Sequence, residues 1–106
     1  MLKWKRVEVT AAVTTEKIES ILAGMSGKNR VIKYLGASGH YAEERYRVYR
    51  DADQIVDLDG NMLTDEAPFL PMDLSLAEGQ LCNVGFYNGF GSEQTRIIAI
   101  GYTEAD

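Results

Sequence analysis

Residues 3–13 alternate, with Val7, Val9, Ala11 and Val13 on one side and Arg6, Glu8 and Thr10 on the other. A period of two with β-branched residues predicts a half-buried strand. The period then changes. Ile18, Ile21, Leu22 and Met25 recur at i, i+3, i+4 and i+7, with Thr14 or Thr15 placed to cap the start and Gly24 to stop the end. That spacing predicts a short helix over 15–24. Met25 to Asn29 reads as a turn.

Alternation returns after it. Arg30 to Leu35 predicts a second strand, closed by Gly36-Ala37-Ser38-Gly39. Glu44 to Arg50 predicts a third, with Tyr46 and Val48 on one side and Arg45, Arg47 and Tyr49 on the other. Gln54 to Leu58 follows. Asp59-Gly60 is a strong turn signal, with Asn61 to Leu63 as a returning arm. Thr64 to Pro71 carries both prolines, Pro68 and Pro71, and reads as a crossing loop with Phe69 and Leu70 tucked under it. Met72, Leu74 and Leu76 alternate in a further strand.

The last hairpin is the clearest signal. Cys82, Val84 and Phe86 alternate with Asn83 and Gly85, Asn88-Gly89 opens a loop through Glu93, and a final strand runs over 96–102. Ile97 to Ile100 is apolar on both sides, which predicts a central strand or one covered by an interface. Seven or eight short strands at this spacing predict a mostly β fold: an antiparallel β-sandwich or small barrel, jelly-roll-like, with one short helix near 15–24. Tyr46, Phe86 and Tyr102 fall on core-type positions.

With 106 residues the chain is expected to form a single domain over 1–106. Hydrophobic residues at 45% and charged residues at 25% exclude a disordered or fibrous chain. Charge adds something the pattern does not show. The net charge is −5, but residues 1–50 carry +5 and residues 51–106 carry −10. Two readings follow: charges interleaved between neighbouring strands, or oppositely charged surfaces that draw copies or partners together. An acidic domain without an aromatic-basic motif argues against nucleic acid. The longest aliphatic stretch, Ile97 to Ile100, is too short to span a bilayer, and Met1 to Arg6 lacks a signal-like apolar run.

Candidate chemistry is sparse. One histidine, His40, sits between Gly39 and Tyr41 in a loop, and one cysteine, Cys82, alternates with Val84 and Phe86 as a buried small hydrophobe. Asp57 to Asn61 resembles a calcium loop only briefly, because Met62 and Pro68 stand where glycine and glutamate are required. An irregular site on Asp51, Asp53, Asp57 and Asp59 is the weaker reading beside a hairpin turn with solvated acids. Glu43 and Glu44 would point to opposite faces, and Asp65 and Glu66 lie in a loop. No catalytic, metal or cofactor residue is expected.

The expected function is therefore structural. A small β-module would self-associate or dock on a larger particle, for example as a virion decoration or connector protein. Its interface is expected at Arg45, Arg47 and Arg50 and at the loop residues Tyr87, Asn88 and Phe90, because a phenyl ring in a glycine-flanked loop suits an anchor. The alternative is a carbohydrate- or small-ligand-binding sandwich using Tyr87, Asn88 and Phe90.

Overall fold

A computed structural model describes residues 2–23, 28–39, 41–63 and 69–105. Eight strands follow one another: β1 (Lys3–Ala11), β2 (Glu16–Leu22), β3 (Asn29–Ala37), β4 (Glu44–Arg50), β5 (Asp53–Asp59), β6 (Phe69–Leu76), β7 (Cys82–Asn88) and β8 (Gln94–Ala105). β1 pairs with β8, β2 with β7, β3 with β6 and β4 with β5, all antiparallel. The chain is thus one long hairpin, turned at Asp51, which adopts a left-handed φ of 54°. Two further pairings, β3 with β8 and β4 with β7, roll that hairpin into two four-stranded sheets, β1-β8-β3-β6 and β2-β7-β4-β5. This is a β-sandwich with jelly-roll strand order.

The inner faces are the apolar phases of the alternation. Val9, Ile32, Leu35, Ile98 and Ile100 from one sheet meet Tyr46, Val48, Cys82, Val84 and Phe86 from the other, all buried. Tyr46 and Phe86 stand opposite each other in register, with ring centroids 6.2 Å apart. β8 is central in its sheet, which accounts for its apolar run. Gly85 is required by a close approach: a Cβ there would lie 2.0 Å from the Lys17 carbonyl oxygen and 2.6 Å from the Ile18 Cα. Only a residue without a side chain lets β2 pair at that point.

Three local expectations are corrected. The helix over 15–24 is strand β2, and the cause is a bulge between Ser20 and Leu22 in its pairing with β7. The extra residue turns both Ile21 and Leu22 into the core, so a strand acquires helix-like spacing. Thr14 and Thr15 close a tight turn instead of capping a helix: Thr14 has φ 51°, and the Thr15 hydroxyl donates to the Ala12 carbonyl at 2.8 Å. After Asp59 the chain makes a single 3-10 turn (Gly60–Met62) rather than a hairpin arm, and Leu63 enters the core. Phe69 and Pro71 belong to β6, an edge strand, where the missing proline N–H disturbs no inner ladder. Phe69 is exposed, not tucked. His40, Gly24, Asp65, Glu66 and Pro68 lie outside the described residues, as does most of the turn expected at 25–29.

Candidate interaction surfaces

The long hairpin explains the charge split. Folding the first half of the chain against the second sets its basic residues beside acidic ones. Arg45 stands opposite Asp59, Arg47 opposite Asp57 and Arg50 opposite Asp53. Lys33 reaches Asp73 at 2.6 Å across β3 and β6, and Lys3 pairs with Glu104 across β1 and β8. Arg47 bridges two acids, with Nη1 2.7 Å from Glu16 and Nε 3.2 Å from Asp57, and its guanidinium lies 5.6 Å from the Tyr87 ring centroid. The Glu16 hydrogen bond raises the Arg47 pKa further. Arg45, Arg47 and Tyr87 therefore share the outer face of the β2-β7-β4-β5 sheet. The charge of both arginines is matched within the chain. Arg50, at the far end of β4, donates to the Ser75 carbonyl at 3.2 Å.

Asn88 and Phe90 sit elsewhere, at the end of the sandwich where β4 begins. Asn88 is fully buried. Its side-chain amide donates to the Ala11 and Ser92 carbonyls at 3.0 and 2.9 Å, and its carbonyl oxygen accepts from the Phe90 N–H at 2.9 Å. It holds the loop after β7 in place. Phe90 packs edge-on against Tyr41, centroids 5.5 Å apart, and the Arg96 guanidinium lies 5.6 and 5.7 Å from those two rings. Arg96 in turn meets Glu44 at 2.8 Å, and Glu44 has no exposed surface. The Tyr46 hydroxyl lies 2.9 Å from the other Glu44 oxygen and 2.7 Å from the Gly39 carbonyl, two acceptors for its one proton, and accepts from the Gly39 N–H at 3.2 Å. Burial first, then the Glu44 charge, raises the Tyr46 pKa above its ordinary value near 10. Every polar atom of Glu44 has a partner. Tyr87, Asn88 and Phe90 do not form one exposed cluster.

Besides Tyr41, the exposed aromatics lie together on the other sheet, at residues the interface expectation did not include. In the row Trp4–Gly101–Tyr34–Pro71, one residue comes from each strand of the β1-β8-β3-β6 sheet. The next row is Arg6–Ala99–Gly36–Phe69. Trp4 lies across Gly101, where a Cβ would come 3.0 Å from the indole ring. Trp4 stacks on Tyr34 with centroids 5.8 Å apart and touches Phe69 at 5.2 Å. Trp4, Tyr34 and Phe69 are 52%, 36% and 44% exposed, far more than packing rings in a core. Grooves flank this ridge. One is lined by Gly36, Ala37, Phe69, Ile97 and Ala99, and another by Leu2, Tyr34, Pro71 and Met72 with Lys33 and Asp73 at its side. The sequence held a signal for this: Trp4 shares the outward phase of β1 with Arg6 and Glu8.

Among the described residues, no three of His, Cys, Asp and Glu gather as a metal site would require. Asp57 and Asp59 face Arg47 and Arg45, and Asp51 accepts the Leu81 N–H at 3.1 Å. Cys82 is buried, and desolvation pushes its thiol up to about 12, against an ordinary value near 9. The folded state then holds the proton more tightly than the unfolded chain. This contribution is complete below pH 9 and is lost as pH rises from about 9 toward 12. Tyr46 acts in the same direction. The urea midpoint is expected to fall above pH 9, less steeply in Cys82→Ala, which itself costs about 1–2 kcal/mol. Rapid modification of Cys82 by a thiol reagent in the folded protein at pH 8 would contradict this.

No protein-family model matches the chain, and no curated protein sequence does. Among solved structures the chain is similar to the nucleoplasmin-like N-terminal domain of Drosophila FKBP39, at 11% identity and a TM-score of 0.49, over 95% of this chain and 91% of that one. The β-sandwich assignment stands on the strand order and register described above.

Proposed function

We propose that this chain is a non-enzymatic assembly module that self-associates through the outer face of the β1-β8-β3-β6 sheet, in solution or on a larger particle such as a virion. The observation that carries this reading is the exposed ridge of Trp4, Tyr34 and Phe69 beside an apolar groove. A contiguous apolar patch of this kind marks an interaction site, and tryptophan and tyrosine are the side chains that most often dominate interface energies. The polar face bearing Arg45, Arg47 and Tyr87 serves less well, because its charges are already matched within the chain. Binding of a saccharide needs polar groups beside the stacking ring. The groove at Gly36, Phe69, Ile97 and Ala99 offers almost none, which favours a protein surface as the occupant.

Sedimentation of the purified protein over a wide concentration range tests this. The mass is expected to rise above that of one chain. Trp4→Ser and Phe69→Ser are each expected to weaken association about tenfold to thirtyfold at every salt concentration, since apolar contacts are not screened. A monomer at the highest concentration in both low and high salt would contradict the reading.

A further inference from the structure

Resting on that reading, we infer that the second copy on this face is related to the first by a twofold axis. The two copies pack face to face, with β1 antiparallel to β1 of the partner subunit. Arg6 of each copy then meets Glu8 of the other.

Two observations select this arrangement. The first is shape. The Phe69 ring and the groove of Gly36, Ile97 and Ala99 lie side by side on this face, so a half-turn about an axis level with Val7 sets each Phe69 at the edge of the other copy's groove and lays Trp4 over Thr10 of the partner subunit. A twofold interface requires this, because each patch must serve as its own complement.

The second is charge. Arg6 and Glu8 are exposed and stand two residues apart on the outward phase of β1. Their cross-strand neighbours on β8 are Ala99 and Ile97, which carry no charge. Neither forms an ion pair among the described residues, whereas Lys3, Lys33, Arg45, Arg47 and Arg96 all do. An antiparallel copy brings each of the two charges against its opposite, twice per dimer. A rotation about an axis across the strands, level with Val7, achieves this.

The area available sets how much of the face must be used. Four strands about 4.8 Å apart, with the nine residues of β1 rising about 3.3 Å each, give a flat area of roughly 570 Å². A stable interface buries about 800 Å² of accessible surface per partner, and the ridged face offers more accessible than flat area. The aromatic patch alone is too small. The β1 rim with Arg6 and Glu8 has to lie inside the contact.

The experiment is a charge swap by mixing. Arg6→Glu and Glu8→Arg are made separately, and far-ultraviolet circular dichroism checks that each retains the wild-type fold. At low salt each variant alone is expected to dimerise about tenfold more weakly than the wild type, because like charges meet twice. An equimolar mixture is expected to recover dimerisation to within about threefold of the wild type, as a complex containing one chain of each kind. Raising the salt should shrink both effects, since the screening length falls to about 8 Å at physiological ionic strength. If the wild type associates but the mixture stays as weak as the single variants, this inference is overturned and the assembly reading stands. If the wild type is monomeric throughout, both fall.

Discussion

Replacing Arg96 by alanine is expected to cost the folded domain about 3–5 kcal/mol, the range for leaving one member of a buried ion pair without its partner. Glu44 has no exposed surface, and the Arg96 side chain is only 12% exposed. Without the guanidinium, the carboxylate keeps one donor, the Tyr46 hydroxyl, in an apolar setting between the sheets. Tyr41 and Phe90 also lose the cation between their rings. Replacing both Glu44 and Arg96 with methionine should cost far less than Arg96→Ala, because no charge is then stranded. Lys33→Ala is the control. Lys33 and Asp73 are 41% and 78% exposed, and breaking such a surface pair costs less than about 1 kcal/mol. Urea unfolding with an unchanged dependence on denaturant measures all three. A loss below 1 kcal/mol for Arg96→Ala would mean that water reaches Glu44 in solution.

Asn88→Ala is expected to destabilise the domain by about 3 kcal/mol, because three polar groups lose their partner at once. Two are the carbonyls of Ala11 and Ser92, and the third is the Phe90 N–H. Asn88→Asp separates the contributions. It preserves the acceptor for Phe90 but cannot donate to either carbonyl when ionised, so it should be at least as damaging as alanine. Asn88 ties the end of β1 to the loop after β7, and its own N–H is bound by the Thr15 carbonyl at 2.9 Å. Its loss should also loosen Phe90 from Tyr41. A thermal midpoint unchanged in either variant would contradict this.

The strands were legible wherever alternation was uninterrupted. Val7 to Ala11, Tyr46 to Val48 and Cys82 to Phe86 each gave face and element together. A bulge hid β2. At Ser20–Leu22 one extra residue converted the period of a strand into that of a helix, and that spacing outweighed the strand preference of the β-branched Ile18 and Ile21. The +5 and −10 halves were visible as numbers, yet their meaning depends on topology. In a chain folded as one long hairpin, that split is the trace of cross-strand pairing such as Arg47 with Asp57. Glu44 was read only as pointing to the face opposite Glu43, because its partner, Arg96, lies 52 residues away. Trp4 was overlooked because its outward phase on β1 is a weak signal alone, and Tyr34 and Phe69 are brought beside it only by β3 and β6.

Trp4 is the only tryptophan in the chain, and its ring lies across Gly101 on the face assigned to assembly. Its fluorescence, excited selectively over the tyrosines and challenged with acrylamide across a concentration series, therefore reports directly on that face. As the sedimenting mass rises, the emission is expected to shift to shorter wavelength and quenching to fall in parallel, because the half-exposed indole becomes covered. A rising mass with Trp4 equally red-shifted and equally quenchable at all concentrations would contradict assembly through this sheet.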